Sequence, residues 1–330
     1  MTAFNQKKTQ NILLDHIVEI LLVILIVALW ITKDPFMTAG NWATILRSSS
    51  MKGIIAFGMT MVIIAGQIDL SIGSTVALSG VIVACACRDL PGSIGVSVDA
   101  ACVIGILIAF ASAFVFGLIH AFAQHKFKMP SFIVTLATQY LIYGLAGVLC
   151  DGFPIANQYP AWFQQLGIGR IGGANGLPIP AVIMLIMFVF LFFIMRYSTM
   201  GRAIYAVGGN EESARLSGIN VLATKTFAFV AVQLMAVLAG LMNSAQVLSG
   251  SFSFGKGWET DVISAVVIGG TSMLGGIGKP SGTLIGMLFL GVILNGMTIL
   301  DVSIYIQYII KGMLMFGAVL IATYQSKKKQ

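Results

Sequence analysis

Apolar residues fill this chain in blocks of about twenty, close to the length of helix that crosses a bilayer core. The blocks predict spans near 14–32, 51–67, 70–87, 99–121, 131–150, 178–196, 224–247, 260–275, 282–299 and 303–324. The short alternating segments of a membrane barrel do not occur. About ten crossings, an even number, place both termini on one side. One polar interval stands apart: Arg196 to Lys225 reads RYSTMGRAIYAVGGNEESARLSGINVLATK. Within it Asn210 is placed to N-cap a short helix, Glu211 and Glu212 suit the positive end of its dipole, Arg215 falls a turn later, and Gly218 can stop it. A charged helix between two spans has little packing purpose in a bilayer. It reads as a handle for a soluble partner, with an ordinary solvated loop helix as the plainer alternative.

Composition fixes the solvent of the rest. The chain is 58% hydrophobic and 9% charged, with mean hydropathy +0.95, whereas soluble proteins carry about 25% charged residues. No composition break marks a separate soluble domain. The expectation is an all-α polytopic membrane protein, one transmembrane domain over 1–330, whose 196–224 loop includes the helix 210–217. Lys7, Lys8, His125, Lys126, Lys128, Arg196, Arg202, Arg215, Lys225, Lys279, Lys327, Lys328 and Lys329 fall on one predicted face. Lys33, Arg47, Lys52, Arg88, Arg170 and Lys256 fall on the other. The richer face takes the cytoplasm, and with it both termini and the charged helix. The net charge of +7 reflects this bias, and no nucleic acid is expected as a partner. No small-x-small cleavage pattern closely follows Trp30, so the first block reads as a retained span. Cys85, Cys87, Cys102 and Cys150 have no metal-site spacing and read as small apolar filler.

Glycine carries a second message. Most of the 37 glycines sit where small residues let membrane helices approach. Two segments differ: AGQIDLSIGS (Ala65 to Ser74) and IGGTSMLGGIGKPSG (Ile268 to Gly282) put polar groups and flexible backbone into apolar runs. They predict broken helices, tolerated at membrane depth only where protein or a water-filled path satisfies the freed backbone groups. Asp69 lies in the first break. It either caps the third span or touches a solute or gate. The fourth and fifth spans share features with the ninth and tenth, including Gln139-Tyr140 before Gly144 and Gln307-Tyr308 before Gly312. An offset of five spans makes this an inverted repeat, as alternating-access transporters use.

Four segments carry a family resemblance. GQIDLSIGS (Gly66 to Ser74), MPSFIVTL (Met129 to Leu136), YAVGGNEESARLSGINV (Tyr205 to Val221) and GGTSMLGGIGKPSGTLIG (Gly269 to Gly286) resemble, in order, motifs of the permease subunit of monosaccharide-type bacterial ABC importers, the group that includes the ribose permeases. Gln67, Ser213 and Lys279-Pro280 depart from the usual pattern. The resemblance implies a multi-pass protein of the bacterial inner membrane and four kinds of partner. These are an ABC ATPase subunit, a periplasmic or lipid-anchored sugar-binding protein, a second permease subunit (a copy or a paralogue) and membrane lipid. It also implies that Asn210, Glu211, Glu212, Ser213, Ala214, Arg215, Leu216 and Ser217 sit in an ATPase groove.

A sugar presents hydroxyls, so polar residues in apolar runs are candidates for its path: Gln67, Asp69, Ser71, Thr135, Gln139, Asn243, Gln246 and Asn295. Helix–helix hydrogen bonding is the alternative for each. Lys311 snorkels, pairs with a carboxylate, or lines the path. Phe252, Phe254, Trp258 and Glu259 meet a binding protein or, for the aromatics, simply mark the interface. No catalytic residue, metal site or cofactor is expected in this chain. GSFSFGKG (Gly250 to Gly257) ends in glycine where a phosphate loop needs Ser or Thr, and is expected on the external side. ATP and magnesium belong to the partner. An ion-coupled secondary transporter is the alternative. It would leave the charged helix without a role, and needs deep ionisable groups of which only Asp69 and Lys311 stand out. An intramembrane enzyme finds no support, since His16, His120 and His125 are expected at cytoplasmic helix ends and no HExxH or GxSxG occurs.

Overall fold

The computed structural model describes residues 16–156, 159–173 and 176–329. Lys7, Lys8 and the start of the 14–32 block lie outside them. The described chain is helical almost throughout. In order come α1 (Ile17–Thr32), a 3-10 turn (Asp34–Met37), α2 (Ala39–Ile64), α3 (Ile72–Ile94), α4 (Val98–Phe127), α5 (Ser131–Leu149) and α6 (Ala161–Ile168). Then follow α7 (Ile179–Tyr197), α8 (Thr199–Gly209), α9 (Glu211–Leu216), α10 (Val221–Val247), α11 (Trp258–Ile268), α12 (Pro280–Ile299) and α13 (Ile304–Lys329). Two short antiparallel pairs tie loops together: β1 (Ile155–Ala156) with β4 (Ser249–Gly250), and β2 (Arg170–Ile171) with β3 (Leu177–Pro178). Side chains at Thr38, Ser97, Ser198, Asn210 and Asn220 cap helix starts, each accepting from the backbone N–H three residues on. Among the described residues, α3, α4, α5, α7, α10 and α12 are long and apolar enough to cross a bilayer. The protein is therefore an all-helical, multi-pass membrane protein.

The middle of the molecule is α2. Its stretch from Met51 to Ile64 is buried almost without interruption against α7, α10, α11 and α12. The 51–67 block caught only this half. The helix begins twelve residues earlier because its polar first turns are satisfied internally. Thr44 and Ser48 hydroxyls donate to the carbonyls of Gly40 and Thr44, each at 3.0 Å, and Ser50 donates to Leu46. Lys52 and Asn41 find partners across the bundle, as described below. A helix with polar groups so placed is stable only when enclosed by protein.

Three further expectations change. The block at 260–275 is a half-helix: α11 has 11 residues, about 16 Å of rise, half of a bilayer core. The chain after it turns through Gly269 to Lys279 before α12 begins at Pro280. The segment before α11, expected outside, turns back into the bundle along α3. Gly250 packs on Gly80 and Ala84, and Gly255 on Gly73 and Val76. Trp258 accordingly packs on the main core. Part of the 196–224 loop is helical: α8 starts at the Ser198 cap, whose Oγ accepts from Gly201 N–H at 2.9 Å. The four cysteines are free thiols, three of them buried in helix contacts.

Candidate functional site

The charged helix forms where its capping residues place it. Ser213 N–H donates to Asn210 Oδ1 at 2.8 Å. Gly218 takes the left-handed conformation (φ 82°) that closes the helix, with Gly218 N–H on Arg215 O at 3.0 Å and Ile219 N–H on Ala214 O at 3.1 Å. One face is clamped. Ala214 is buried with Val207 of α8 and Val221 of α10. Lys225, its side chain 1% exposed, donates to Glu211 at 2.6 Å. The other face is free: Glu212 and Arg215 pair at 2.6 Å yet are 63% and 67% exposed. Leu216 projects with 78% exposure. The hydrogen bond that Arg215 donates to Glu212 holds its guanidinium above its ordinary pKa. Beside it lies a cleft of about 560 Å³, lined by Phe122, His125, Lys126 and Lys128 near the end of α4 and by Arg215 and Leu222.

This helix is coupled to both chain breaks through one joint. Gly276 N–H donates to Ile64 O, the last residue of α2, at 2.8 Å. Gly208, at the end of α8, lies so close that a Cβ there would fall on the Ile64 carbonyl and stand 2.8 Å from Gly276 N. Tyr205 Oη donates to Gly278 O at 2.8 Å. The first break is also held to α5. Ile68 N–H donates to Ser131 Oγ and Leu70 N–H to Thr135 Oγ1, both at 3.1 Å. All four motif segments therefore meet at one place, with α9 beginning three residues beyond Gly208.

Asp69 is fully buried in the same break. Its Oδ1 accepts from Ser71 N–H at 2.8 Å and Ser71 Oγ at 2.6 Å, the pattern of a residue stabilising the start of α3. Its Oδ2 accepts from Gln233 Nε2 of α10 at 2.8 Å and lies 3.4 Å from His120 Nδ1 of α4. Gln233 also donates to Ser71 Oγ at 2.7 Å and accepts from Thr75 at 2.5 Å. His120 Nε2 meets Thr138 Oγ1 of α5 at 2.7 Å. The network links α3, α4, α5 and α10 through one carboxylate. His120 thus faces Asp69 inside the bundle, seven residues before α4 ends, rather than standing alone at a helix end. Replacing Gln233 by Leu removes the donor to Asp69 Oδ2 and Ser71 Oγ and the acceptor of the Thr75 hydroxyl's shortest hydrogen bond. It is expected to lower stability by about 1–2 kcal/mol, read as a lower Tm of the detergent-solubilised protein.

A second buried charge group ties α2, α11 and α13. Asp261, 7% exposed, pairs with Lys52 at 2.5 Å and Lys311 at 3.1 Å. Of the three roles open to Lys311, pairing with a carboxylate is the one observed. Asn295 and Asn41 exchange two side-chain amide hydrogen bonds at 3.1 and 2.8 Å, which joins α12 to α2. Thr135 is buried beneath the first break. Gln67 and Asn243 are half-buried and Gln246 is exposed, the last two ten and thirteen residues beyond Gln233 along α10. Gln139 is half-buried on α5 and faces Glu259. The eight path candidates thus do not converge on one point. Only Asp69, Ser71 and Thr135 cluster. Gln233 and Asp261 escaped the sequence reading and His120 was placed at a helix end, although Gln233 is a polar residue isolated in an apolar run, the signal that selects the others.

Enclosed broken helices joined to a clamped, charged surface helix define a membrane permease component. The chain belongs to the family described as branched-chain amino acid transport system / permease component, whose model matches residues 41–319. It is 39% identical to the ribose import permease protein RbsC of Haemophilus influenzae, over 94% of this chain and 93% of that one. It is 38% identical to RbsC of Bacillus subtilis, over 91% and 90%. It is also 34% identical to the L-arabinose transport system permease protein AraH of Escherichia coli, over 93% and 90%. The resemblance carried by the four motifs is borne out. No solved structure matches the chain.

Proposed function

We propose that the chain is the membrane permease of an ATP-driven importer and forms half of a path for a monosaccharide, most simply a pentose. The observation that carries this is the joint of Gly208, Ile64 and Gly276 in a chain aligned over nine-tenths of its length with permeases for ribose and L-arabinose. Both termini in the cytoplasm of a bacterial cell fit the basic residues. The grouping of His125, Lys126, Lys128 and Arg215 about one cleft supports a single inner face. An ATPase partner holds ATP and magnesium and seats α9 in a groove. A binding protein delivers the sugar from the other side, and a second permease, a copy or a paralogue, completes the path. The inverted repeat supplies the two alternating arrangements. In this reading the ATPase must hold the two states unequally to drive transport.

The test uses the Glu212→Ala, Arg215→Ala double variant, assembled with its ATPase and binding protein in vesicles. Neither side chain supports the fold, so Tm is expected to stay unchanged. Interface charges contributing about 1–2 kcal/mol predict a drop of roughly tenfold in transport-coupled ATP hydrolysis. Unaltered coupling would reject the role of α9, and uptake driven by an ion gradient without ATP would reject the importer.

A further inference from the structure

A polar cluster at the tip of the returning segment is used by neither the Asp69 network nor α9. Glu259 Oε2 and Tyr143 Oη are both shut off from solvent and lack hydrogen-bond partners. Gln139, one turn before Tyr143 on α5, lies within hydrogen-bonding reach of the Glu259 carboxylate. Lys256 Nζ stands 4.7 Å from the Phe252 ring centroid and 5.7 Å from that of Tyr143. These groups close on Gly73. A Cβ there would stand 2.5 Å from Glu259 Oε2 and 3.1 Å from Tyr143 Oη. Only glycine leaves this space.

We propose that Glu259, Tyr143, Gln139 and Lys256 form the station at which a neutral, polyhydroxylated sugar is held during passage. This rests on the importer reading above. The chemistry selects the ligand. A carboxylate accepts from neighbouring hydroxyls, an amide and a phenol both donate and accept, and an ammonium donates. The rings of Phe252 and Tyr143 offer flat apolar faces for the C–H side of a pyranose or furanose. The opposite charges of Glu259 and Lys256 cancel, so a neutral solute suits the site better than an ion. Its place also fits: the first turns of α3 and α11 meet here, and interrupted helices facing each other inside a bundle are where transporters hold substrates. Unmatched buried oxygens are otherwise hard to account for, because a folded interior normally satisfies them.

The experiment compares Glu259→Gln and Tyr143→Phe with the unaltered protein. Each is assembled with its ATPase and binding protein in vesicles and supplied with ATP and radiolabelled D-ribose, L-arabinose or D-xylose. Sugar uptake by both variants is expected to fall at least about tenfold, while ATP hydrolysis stimulated by the loaded binding protein stays within about twofold of the unaltered complex. Uptake equal to the unaltered protein in both variants overturns the station and leaves the importer reading standing. Loss of stimulated hydrolysis together with uptake assigns the residues to the moving framework and also overturns it. No uptake of any of these sugars by the unaltered complex sinks the importer reading, and the station with it. Tyr143→Phe, which removes a single oxygen, carries the test should Glu259→Gln fail to assemble.

Discussion

Replacing Asp261 by Leu is expected to destabilise the folded protein by about 3 kcal/mol or more, because it strands two lysines. Asp261 is the shared partner of Lys52 and Lys311. Without it, two ammonium groups remain near each other among α2, α11 and α13 with no carboxylate to balance them. Lys311 is 28% exposed, which softens its share through solvent, whereas Lys52 at 16% has less relief. The decisive comparison is the triple variant Lys52→Met, Asp261→Leu, Lys311→Met. Apolar side chains of similar volume often replace a buried ion group with little loss, so the triple variant is expected to recover most of the Tm lost by the single one. If single and triple variants melt together, Asp261 acts by some means other than charge pairing.

Gly208→Val is expected to abolish ATP-driven uptake. The added Cβ would fall on the Ile64 carbonyl, which already accepts the Gly276 N–H. Backbone cannot rotate away as a side chain does. Overpacking of this sort costs about 1–3 kcal/mol, and a displacement at this point is passed directly to α9. A loss of tenfold or more in stimulated ATP hydrolysis corresponds to about 1.4 kcal/mol. The neighbouring Gly209→Ala is the control: a Cβ there meets nothing within 4 Å, and it should transport like the unaltered protein. Equal activity for Gly208→Val would mean that the joint bears no force.

Local chemistry was legible in the sequence, and distant pairing was not. Asn210, the two glutamates and Gly218 specify α9 within nine residues, and the structure shows that helix with that cap. The glycine-rich breaks were equally readable, since an apolar run with several glycines and an aspartate cannot continue as helix. The first half of α2 was hidden because its polar residues are answered by the helix's own carbonyls, as at Thr44 and Ser48, and from far along the chain, as Asn41 is by Asn295. Hydropathy scores each residue as if it stood alone. The same blindness placed His120 at a helix end, when its partner Asp69 comes from another helix pair. It also extended the eighth span past Ile268, where Gly269 packs against Gly282 and turns the chain. The returning segment at Gly250–Gly257 carries serines and a lysine that suit water, and only its glycines, packed on α3, betray that it lies against the bundle.

The enclosure of α2 bears on how the protein is made. As the chain emerges from the ribosome, residues 39–64 enter the membrane with Arg47, Lys52 and three consecutive serines. The answering Asp261 and Asn295 are more than two hundred residues from being synthesised. The early segment must therefore wait, in the insertion machinery or tilted at the headgroups, until the C-terminal third arrives to shelter it. Biogenesis of this protein is completed from its far end, and a nascent chain halted before residue 258 lacks what would keep its own central helix in place.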